Sequence, residues 1–451
     1  MARESLGSRL GFLLLTAGCA IGLGNIWRFP FITGKYGGAA FVLLYLVFLA
    51  VLGFPLLVME LAIGRASRQN LYGAMTMASR GRRFWRTAGA ILSCGCAILM
   101  MYYTTVTGWL FSYMVKFAGG TFAGLEPKQI GAVFGDTIGS AGECVGYMIL
   151  AVFLGCFICG LGLRQGVERV TKVLMGGLFL LLIGLCVHAS CLPGAPEAMK
   201  FYLMPDWSRF SWQAVPAAMG QAFFTLSIGI GSITIFGSYI DKQHSLAKEA
   251  LVVIGLDTTV ALLAGMVIFP VCISSHVPVG EGPGLIFMAL PNIFCQMPGG
   301  RWWGALFFLF LCMAALTTVI AVMENLISIL IDEWHISRRI ASLTVGIGMA
   351  VLSLPCALGF NVWKDVQPMG KGSTILDFED YLVSDNLLVL GGLLLMIFCC
   401  TRWGWGWEKF LAEANAGNGV RFPAWARPLV TWGLPALILI LYAINFRARW
   451  L

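Results

Sequence analysis

The stretch AGCAIGLGNIWRFP (17–30) sets Gly18, Gly22 and Gly24, then Asn25 and Arg28, inside an apolar run that starts at Leu10. A second stretch, LSIGIGS (226–232), repeats the core of CAIGLGN (19–25) as small, apolar, Gly, apolar, Gly, polar, with Thr225 and Ser227 beside it. In hydrocarbon a freed amide or carbonyl costs several kcal/mol unless something satisfies it. Glycine tolerates unusual dihedrals and lets a ligand approach the backbone. A helix broken at such a point offers amides that suit a carboxylate and carbonyls that suit a cation such as sodium. One stretch alone reads more readily as tight packing, with Gly18 and Gly22 as a GxxxG pair. Two matched stretches flanked by polar groups favour a site. Asp257 strengthens this, because an acid well inside an apolar span is rarely idle. Covalent chemistry finds no support: there is no nucleophile–base pair, phosphate loop or zinc motif. His188, His244, His276 and His335 lack metal-ligand spacing.

The elements that must hold these residues are membrane helices. The chain is 59% hydrophobic and 12% charged, about half the charged share of a soluble protein, with mean hydropathy +0.83. The runs are continuous, not alternating, which excludes a transmembrane barrel. Eleven spans are predicted, at 9–34, 39–65, 86–118, 145–163, 168–191, 213–240, 247–274, 303–332, 339–358, 376–401 and 426–446. The first is too long for a cleaved signal peptide, lacks a small-residue cleavage site and contains Arg28. Most cysteines (Cys94, Cys96, Cys156, Cys159, Cys312, Cys399 and Cys400 among them) lie in apolar runs and read as small hydrophobes rather than a disulfide framework; the pairing of Cys144, Cys191 and Cys295 stays open.

With the N-terminus inside, nineteen Lys and Arg fall inside and ten outside, Arg28 belonging to a span. The bias predicts a cytoplasmic N-terminus, an outer C-terminus and a multi-pass place in the cell inner (plasma) membrane. It also accounts for the net charge of +8 without a nucleic-acid partner. The long outer loops fall near 119–144, 192–212, 275–302 and 359–375. The loop 275–302 holds the apolar pieces GLIFMAL and NIFCQM, which predict a short re-entrant or capping helical hairpin.

Spans one and six are the two that glycine interrupts, and being five spans apart they cross in opposite directions. This is the signature of an inverted-repeat transporter with its site at the midplane. The expected organisation is one transmembrane domain over 1–451, with repeat one at 9–191, repeat two at 213–401 and a peripheral eleventh helix at 426–446.

The segments GSRLGFLLLTAGCAIGLGNIWRFPFITGKYGGAAFVLLYLVFLAVLGFPLLVMELAIGR, MMYYTTVTGW, GQAFFTLSIGIGSITIFGSYI, AALTTVIAVMENLI and LDFEDYLVSDNLLVLGG resemble the neurotransmitter:sodium symporters, the LeuT-type sodium-coupled amino-acid transporters. The resemblance covers essentially the whole chain, and its eleven spans are similar to those of bacterial members. It implies an all-α fold of inverted 5+5 repeats with broken helices one and six. It also implies two sodium sites. One would use the carbonyls of Gly18, Ile21 and Ala314 and the hydroxyls of Thr317 and Thr318. The other would use the Ala20 carbonyl, Asn25, Thr225, Asp257 and the substrate carboxylate, which would couple ion and substrate binding reciprocally.

By the same resemblance, the substrate carboxylate would meet amides near Gly24 and the Tyr103 hydroxyl. The amine would meet carbonyls near Ala20, Phe224 and Thr225, close to Ser227. Leu99, Tyr103, Phe224, Ser227, Ile230, Thr318 and Val322 would line the side-chain pocket, with Phe224 and Tyr103 as its lid. Arg28 and Asp380 would form the outer gate, and Arg3 with Asp332, near Tyr239, the inner one. Taken singly, Tyr103 could be an ordinary interfacial aromatic and Arg28 could snorkel. Glu60, placed near the inner end of span two, and Glu324 are as readily structural as functional.

Departures from the family pattern carry expectations of their own. Asp257 stands where many relatives have Asn, and Ala261 where chloride-dependent relatives have Ser. A fixed carboxylate beside the first sodium would replace chloride, which predicts chloride-independent transport. Gly22 stands where monoamine transporters carry Asp, which favours an α-amino acid. Ile230 in place of Phe, and the small Val322, leave an uncharged pocket for a neutral aliphatic or aromatic residue, with selectivity limited to about 1–3 kcal/mol per few methyl groups. Thr318 in place of Ser adds a methyl and keeps the hydroxyl. Leu6 replaces a Trp that plugs the inner vestibule. The sequence therefore points to a sodium-coupled importer of neutral hydrophobic L-amino acids, not an enzyme. Its partners would be the amino acid, sodium and the bilayer, and oligomeric state is left open. The rivals are a sensor on the same scaffold and proton coupling through Asp257. Two threonine hydroxyls grouped with carbonyls suit a metal cation better than a proton.

Overall fold

A backbone in hydrocarbon must satisfy its own amides, so long apolar runs become helices. The computed structural model describes residues 6–274 and 285–450, and among them no β-strand forms. Among the described residues nine helices are long and apolar enough to cross a membrane: Ala39–Ser67, Arg83–Gly119, Ala141–Gly160, Leu163–Ser190, Leu246–Ser274, Gly300–Trp334, Arg338–Leu358, Ile375–Cys400 and Ala424–Arg447. A tenth is the pair Arg9–Ala20 and Gly24–Lys35, bent by 53°. The predicted run 213–240 is not one helix. It divides into Ala214–Thr225 and Thr234–Gly237 around turns, so a count of eleven depends on including this interrupted segment.

Burial separates the centre from the rim. The apolar window of Gly300–Trp334 is 78% buried inside the protein, against 28% for Leu163–Ser190 and for Ala424–Arg447. The last helix is therefore among the least buried of the spans. Gly300–Trp334 packs along Arg83–Gly119, and Arg9–Ala20 lies against Gly300–Trp334 and Leu246–Ser274. Local caps fix the ends: the Ser8 side chain accepts from the Gly11 amide, and Thr374 with Asp377 forms a capping box ahead of Ile375.

Four short helices occupy stretches that carried no predicted element: Leu71–Ala78, Pro127–Gly139, Ala195–Leu203 and Trp407–Ala414. Each is too short to give a span-like signal and too amphipathic to read as a long apolar run. In the loop 275–302, residues 285–296 are helical, while 275–284 lie outside the described residues, as does Arg3. The fourteen cysteines are all free thiols.

Candidate functional site

The break in span one is short. The helix ends at Ala20, Ile21 turns to φ −72° and ψ 100°, and a wide helical turn restarts at Gly24. The freed amides find partners: Gly22 N–H donates to Asn25 Oδ1 at 3.1 Å, and Leu23 N–H donates to the Tyr103 hydroxyl at 3.1 Å. Gly22 is required here, because a Cβ would sit 2.5 Å from the Tyr103 hydroxyl and 2.6 Å from Thr318 Oγ1. The break in span six is longer, with Ser227 at φ 51°, Gly229 at φ 104° and Gly231 at φ 83°. A Cβ on Gly229 would lie 2.2 Å from the Leu388 carbonyl.

Glu60 reaches into this second break. It is fully buried, accepting from Gly229 N–H at 2.6 Å and from Thr234 Oγ1 at 3.2 Å. The sequence placed it near an interface. Its structural role was among the readings, but its partner on the unwound segment lies 169 residues away and leaves no local signal.

Two clusters of polar groups lie at the breaks. In the first, Asn25 Nδ2 donates to Asp257 Oδ1 at 2.7 Å and to the Asp257 carbonyl at 3.1 Å. Thr225 Oγ1 donates to the same carboxylate at 3.0 and 3.2 Å. All three side chains are fully buried. Two neighbours escaped the sequence reading. The Tyr45 hydroxyl lies within interaction range of Asp257 and Thr225 yet makes no hydrogen bond of normal geometry. Gln221 Nε2 donates to the Gly24 carbonyl at 2.9 Å, leaving its own Oε1 without a partner.

In the second cluster, Thr318 Oγ1 lies 3.3 Å from the Gly18 carbonyl and 3.4 Å from that of Ile21. Thr317 Oγ1 lies 3.4 Å from the Ile21 carbonyl and 2.8 Å from that of Ala314. Five hard oxygens thus converge from two helices, a donor set suited to a small cation and poor for a soft metal.

Between the clusters is a cavity of about 20 Å³. Of the predicted pocket residues, Ala20, Gly24, Leu99, Tyr103, Phe224, Ser227 and Thr318 line it. Cys19, Gly22 and Leu388 line it as well, and Cys19 and Leu388 were not predicted. Thr225 sits with Asp257 instead. Ile230 and Val322 are fully buried and are not among the cavity's lining residues, Ile230 packing on Gly95 while its carbonyl accepts from the Cys96 thiol. The unwound turn points Ile230 back at the Arg83–Gly119 helix, an orientation that helical periodicity does not foretell.

Above Phe224 opens a vestibule of about 730 Å³. Arg28 and Asp380 both face it, joined through a third residue: Arg28 donates to Ser384 Oγ at 3.0 Å, and Ser384 Oγ donates to Asp380 Oδ1 at 2.6 Å. The Arg28 guanidinium also lies 4.4 Å over the Phe224 ring. At the opposite end, Asp332 Oδ2 accepts from the Asn70 amide and side chain at 3.2 and 2.9 Å. Tyr239 donates to Glu324 Oε1 at 2.8 Å, and Arg338 pairs with both Glu324 oxygens at 2.7 and 3.1 Å. Glu324 is therefore part of a buried ion-pair network at this end.

Comparison with known proteins adds to this geometry. The sodium:neurotransmitter symporter family model matches residues 3–123 and 127–449. An uncharacterized sodium-dependent transporter of Bacillus subtilis is 34% identical over 439 residues, covering 96% of each chain. The human sodium- and chloride-dependent GABA transporter 2 is 26% identical over 472 residues, covering 93% of this chain and 76% of its own. The crystal structure of MhsT in complex with L-phenylalanine superposes with a TM-score of 0.88 at 34% identity, covering 98% of this chain and 99% of that one.

Proposed function

We propose a specific cargo from the premise that the chain belongs to the sodium:neurotransmitter symporter family and is a sodium-dependent membrane transporter, not an enzyme. The cargo is a neutral hydrophobic L-amino acid, aliphatic or aromatic, imported with sodium and without chloride. The observation that carries this reading is the buried Asn25–Asp257–Thr225 cluster, adjoining the two helix breaks that border the Tyr103–Phe224 cavity. The similar protein MhsT is found in complex with L-phenylalanine, which supports an apolar side chain here.

In this reading one sodium takes the oxygens of Gly18, Ile21, Ala314, Thr317 and Thr318. A second takes the Ala20 carbonyl, Asn25, Thr225, Asp257 and the substrate carboxylate. Sharing that carboxylate ties cargo affinity to sodium by one coupling free energy, equal in both directions. Asp257 supplies the negative charge that a chloride would otherwise bring. The substrate carboxylate is oriented by the Gly24 region and the Tyr103 hydroxyl, and its amine by carbonyls near Ala20, Phe224 and Thr225. Rearrangement of the Arg28–Ser384–Asp380 relay shuts the outer side. Release of Asp332, Tyr239 and the N-terminal segment with Arg3 opens the inner one. The N-terminus lies in the cytoplasm, the C-terminus outside, and 9–191 and 213–401 act as the two opposed repeats.

The test is binding of a panel of neutral amino acids to purified protein in sodium chloride, sodium gluconate and choline chloride. Binding that requires sodium and ignores chloride supports the assignment, and the tightest ligand names the cargo. Binding indifferent to sodium overturns it.

A further inference from the structure

Away from the central pathway, a cavity of about 260 Å³ opens where span two, Ala39–Ser67, meets the short helices Leu71–Ala78 and Trp407–Ala414. Two cations, Arg80 and Lys409, reach it from separate elements. Neither side chain makes a hydrogen bond or ion pair among the described residues, and no acid among them lines the cavity. The remaining wall is largely apolar, with Ile63, Met77 and Trp405 prominent. The Ser67 hydroxyl in the same wall is already spent on the Ile63 carbonyl at 2.8 Å, so the charged donors in the cavity are the two cations.

The backbone at Arg80 adds an independent observation. Its φ is 57°, a left-handed conformation just past the end of the helix Leu71–Ala78, where glycine is the usual residue. The chain keeps a long cationic side chain at a position that glycine would occupy more easily. Met77 in the cavity wall is exposed, as are the mutually packed Phe84 and Trp403, and Arg82 donates to the Trp403 carbonyl. Exposed tryptophan and phenylalanine beside clustered arginines mark the level of lipid headgroups.

We propose that this cavity binds the phosphate headgroup of an anionic phospholipid, Arg80 and Lys409 gripping the phosphate and Met77 and Trp405 facing the glycerol and upper acyl chains. A basic pocket between helices at the membrane surface is suited to such a headgroup, and the apolar wall distinguishes it from a site for a soluble anion. The bound lipid bridges Leu71–Ala78 to Trp407–Ala414. The same first helix is capped by Asn70, whose amide and side chain also hold Asp332. Occupancy therefore steadies the inner end of the pathway.

The experiment titrates the purified full-length protein with phosphatidylglycerol or phosphatidylcholine and counts bound lipid by native mass spectrometry. Phosphatidylglycerol is expected to be retained over phosphatidylcholine. Arg80→Gly combined with Lys409→Gln should weaken its retention roughly thirtyfold, about fivefold for each cation. Glycine accepts the left-handed backbone, so this loss is not a failure to fold. Arg83→Gln, removing an exposed cation outside the cavity, should leave retention unchanged. Equal retention of the two lipids, or full retention by the double variant, overturns the proposal. So does an equal loss in Arg83→Gln, which would mean diffuse charge attraction. Displacement of the lipid by an equal concentration of inorganic phosphate would reassign the cavity to a soluble anion.

Discussion

Asn25 and Asp257, 232 residues apart, meet side chain to side chain at 2.7 Å in a fully buried space, and Thr225 closes on the same carboxylate. The broken first span, the broken sixth and the helix Leu246–Ser274 are thereby tied at one point. In the proposed reading a cation entering there meets the Asp257 carboxylate, with no charged side chain opposing it in the cluster.

Asp257→Asn removes that charge and keeps the shape. Sodium half-saturation in chloride-free buffer should rise roughly tenfold or more, the weight of a single charge-assisted contact. Added chloride should recover part of the loss, with the nearby Tyr45 hydroxyl free to donate to it. Sodium-dependent amino-acid binding in gluconate and chloride salts reads both effects, and parent-like binding in gluconate would remove chloride replacement from the account.

Thr318→Val deletes one oxygen of the second cluster at nearly constant volume. A hydrogen-bond-class contact to a charged group is worth about 1.5–3 kcal/mol, so sodium affinity should fall roughly tenfold to a hundredfold. Thr318 also borders the cavity, so the comparison that isolates the ion is Thr317→Val, which lies outside the cavity lining and should show the same direction. Sodium titrations at fixed, saturating amino acid distinguish the two variants; a parent-like sodium curve for both would contradict the cation assignment.

Gly22→Ala introduces a Cβ that overlaps the Tyr103 hydroxyl and Thr318 Oγ1. Amino-acid binding should drop by at least roughly tenfold, as expected when about 1.4 kcal/mol or more of overlap must be relieved. Thermal unfolding in the absence of ligand should also move to lower temperature, since the overlap is present before any ligand binds and costs about 1–3 kcal/mol. Unchanged affinity would show that the cavity rearranges more freely than its contacts imply.

Glu60→Ala leaves the Gly229 amide and the Thr234 hydroxyl buried without their acceptor, a cost of about 2–4 kcal/mol. Glu60→Gln keeps an acceptor for the Gly229 amide, and Thr234 can accept from the new amide, so its effect should be much smaller. Unfolding temperature of the two variants, measured side by side, tests whether Glu60 is the brace of the second break. Equal destabilisation would instead assign the role to its charge.

The long spans were legible because hydrocarbon leaves an apolar run no alternative to helix. Gly300–Trp334 and Arg83–Gly119 begin and end within a few residues of expectation. The second oxygen cluster was legible through the family resemblance, which named Gly18, Ile21, Ala314, Thr317 and Thr318, and the fold brings all five together. Less legible were residues whose position depends on the irregular turn. Ile230 faces Gly95 rather than the cavity, while Leu388, from a distant helix, approaches it. Tyr45 and Gln221 sit on ordinary-looking apolar helices and become notable only through what the fold places beside them. The four short helices carry too few residues for an apolar pattern to stand out from a loop.

The contrast between a vestibule of about 730 Å³ and a cavity of about 20 Å³ bears on rates. A small solute can reach the Phe224 ring by diffusion, but one the size of an amino acid cannot dock rigidly beneath it. Its observed affinity is therefore its intrinsic affinity scaled by the fraction of time the space below the ring is open. In the proposed reading Arg28, resting on the face of that ring, weighs on it like a latch. Loosening this cation–π contact would speed association and raise apparent affinity without adding a single contact to the cargo.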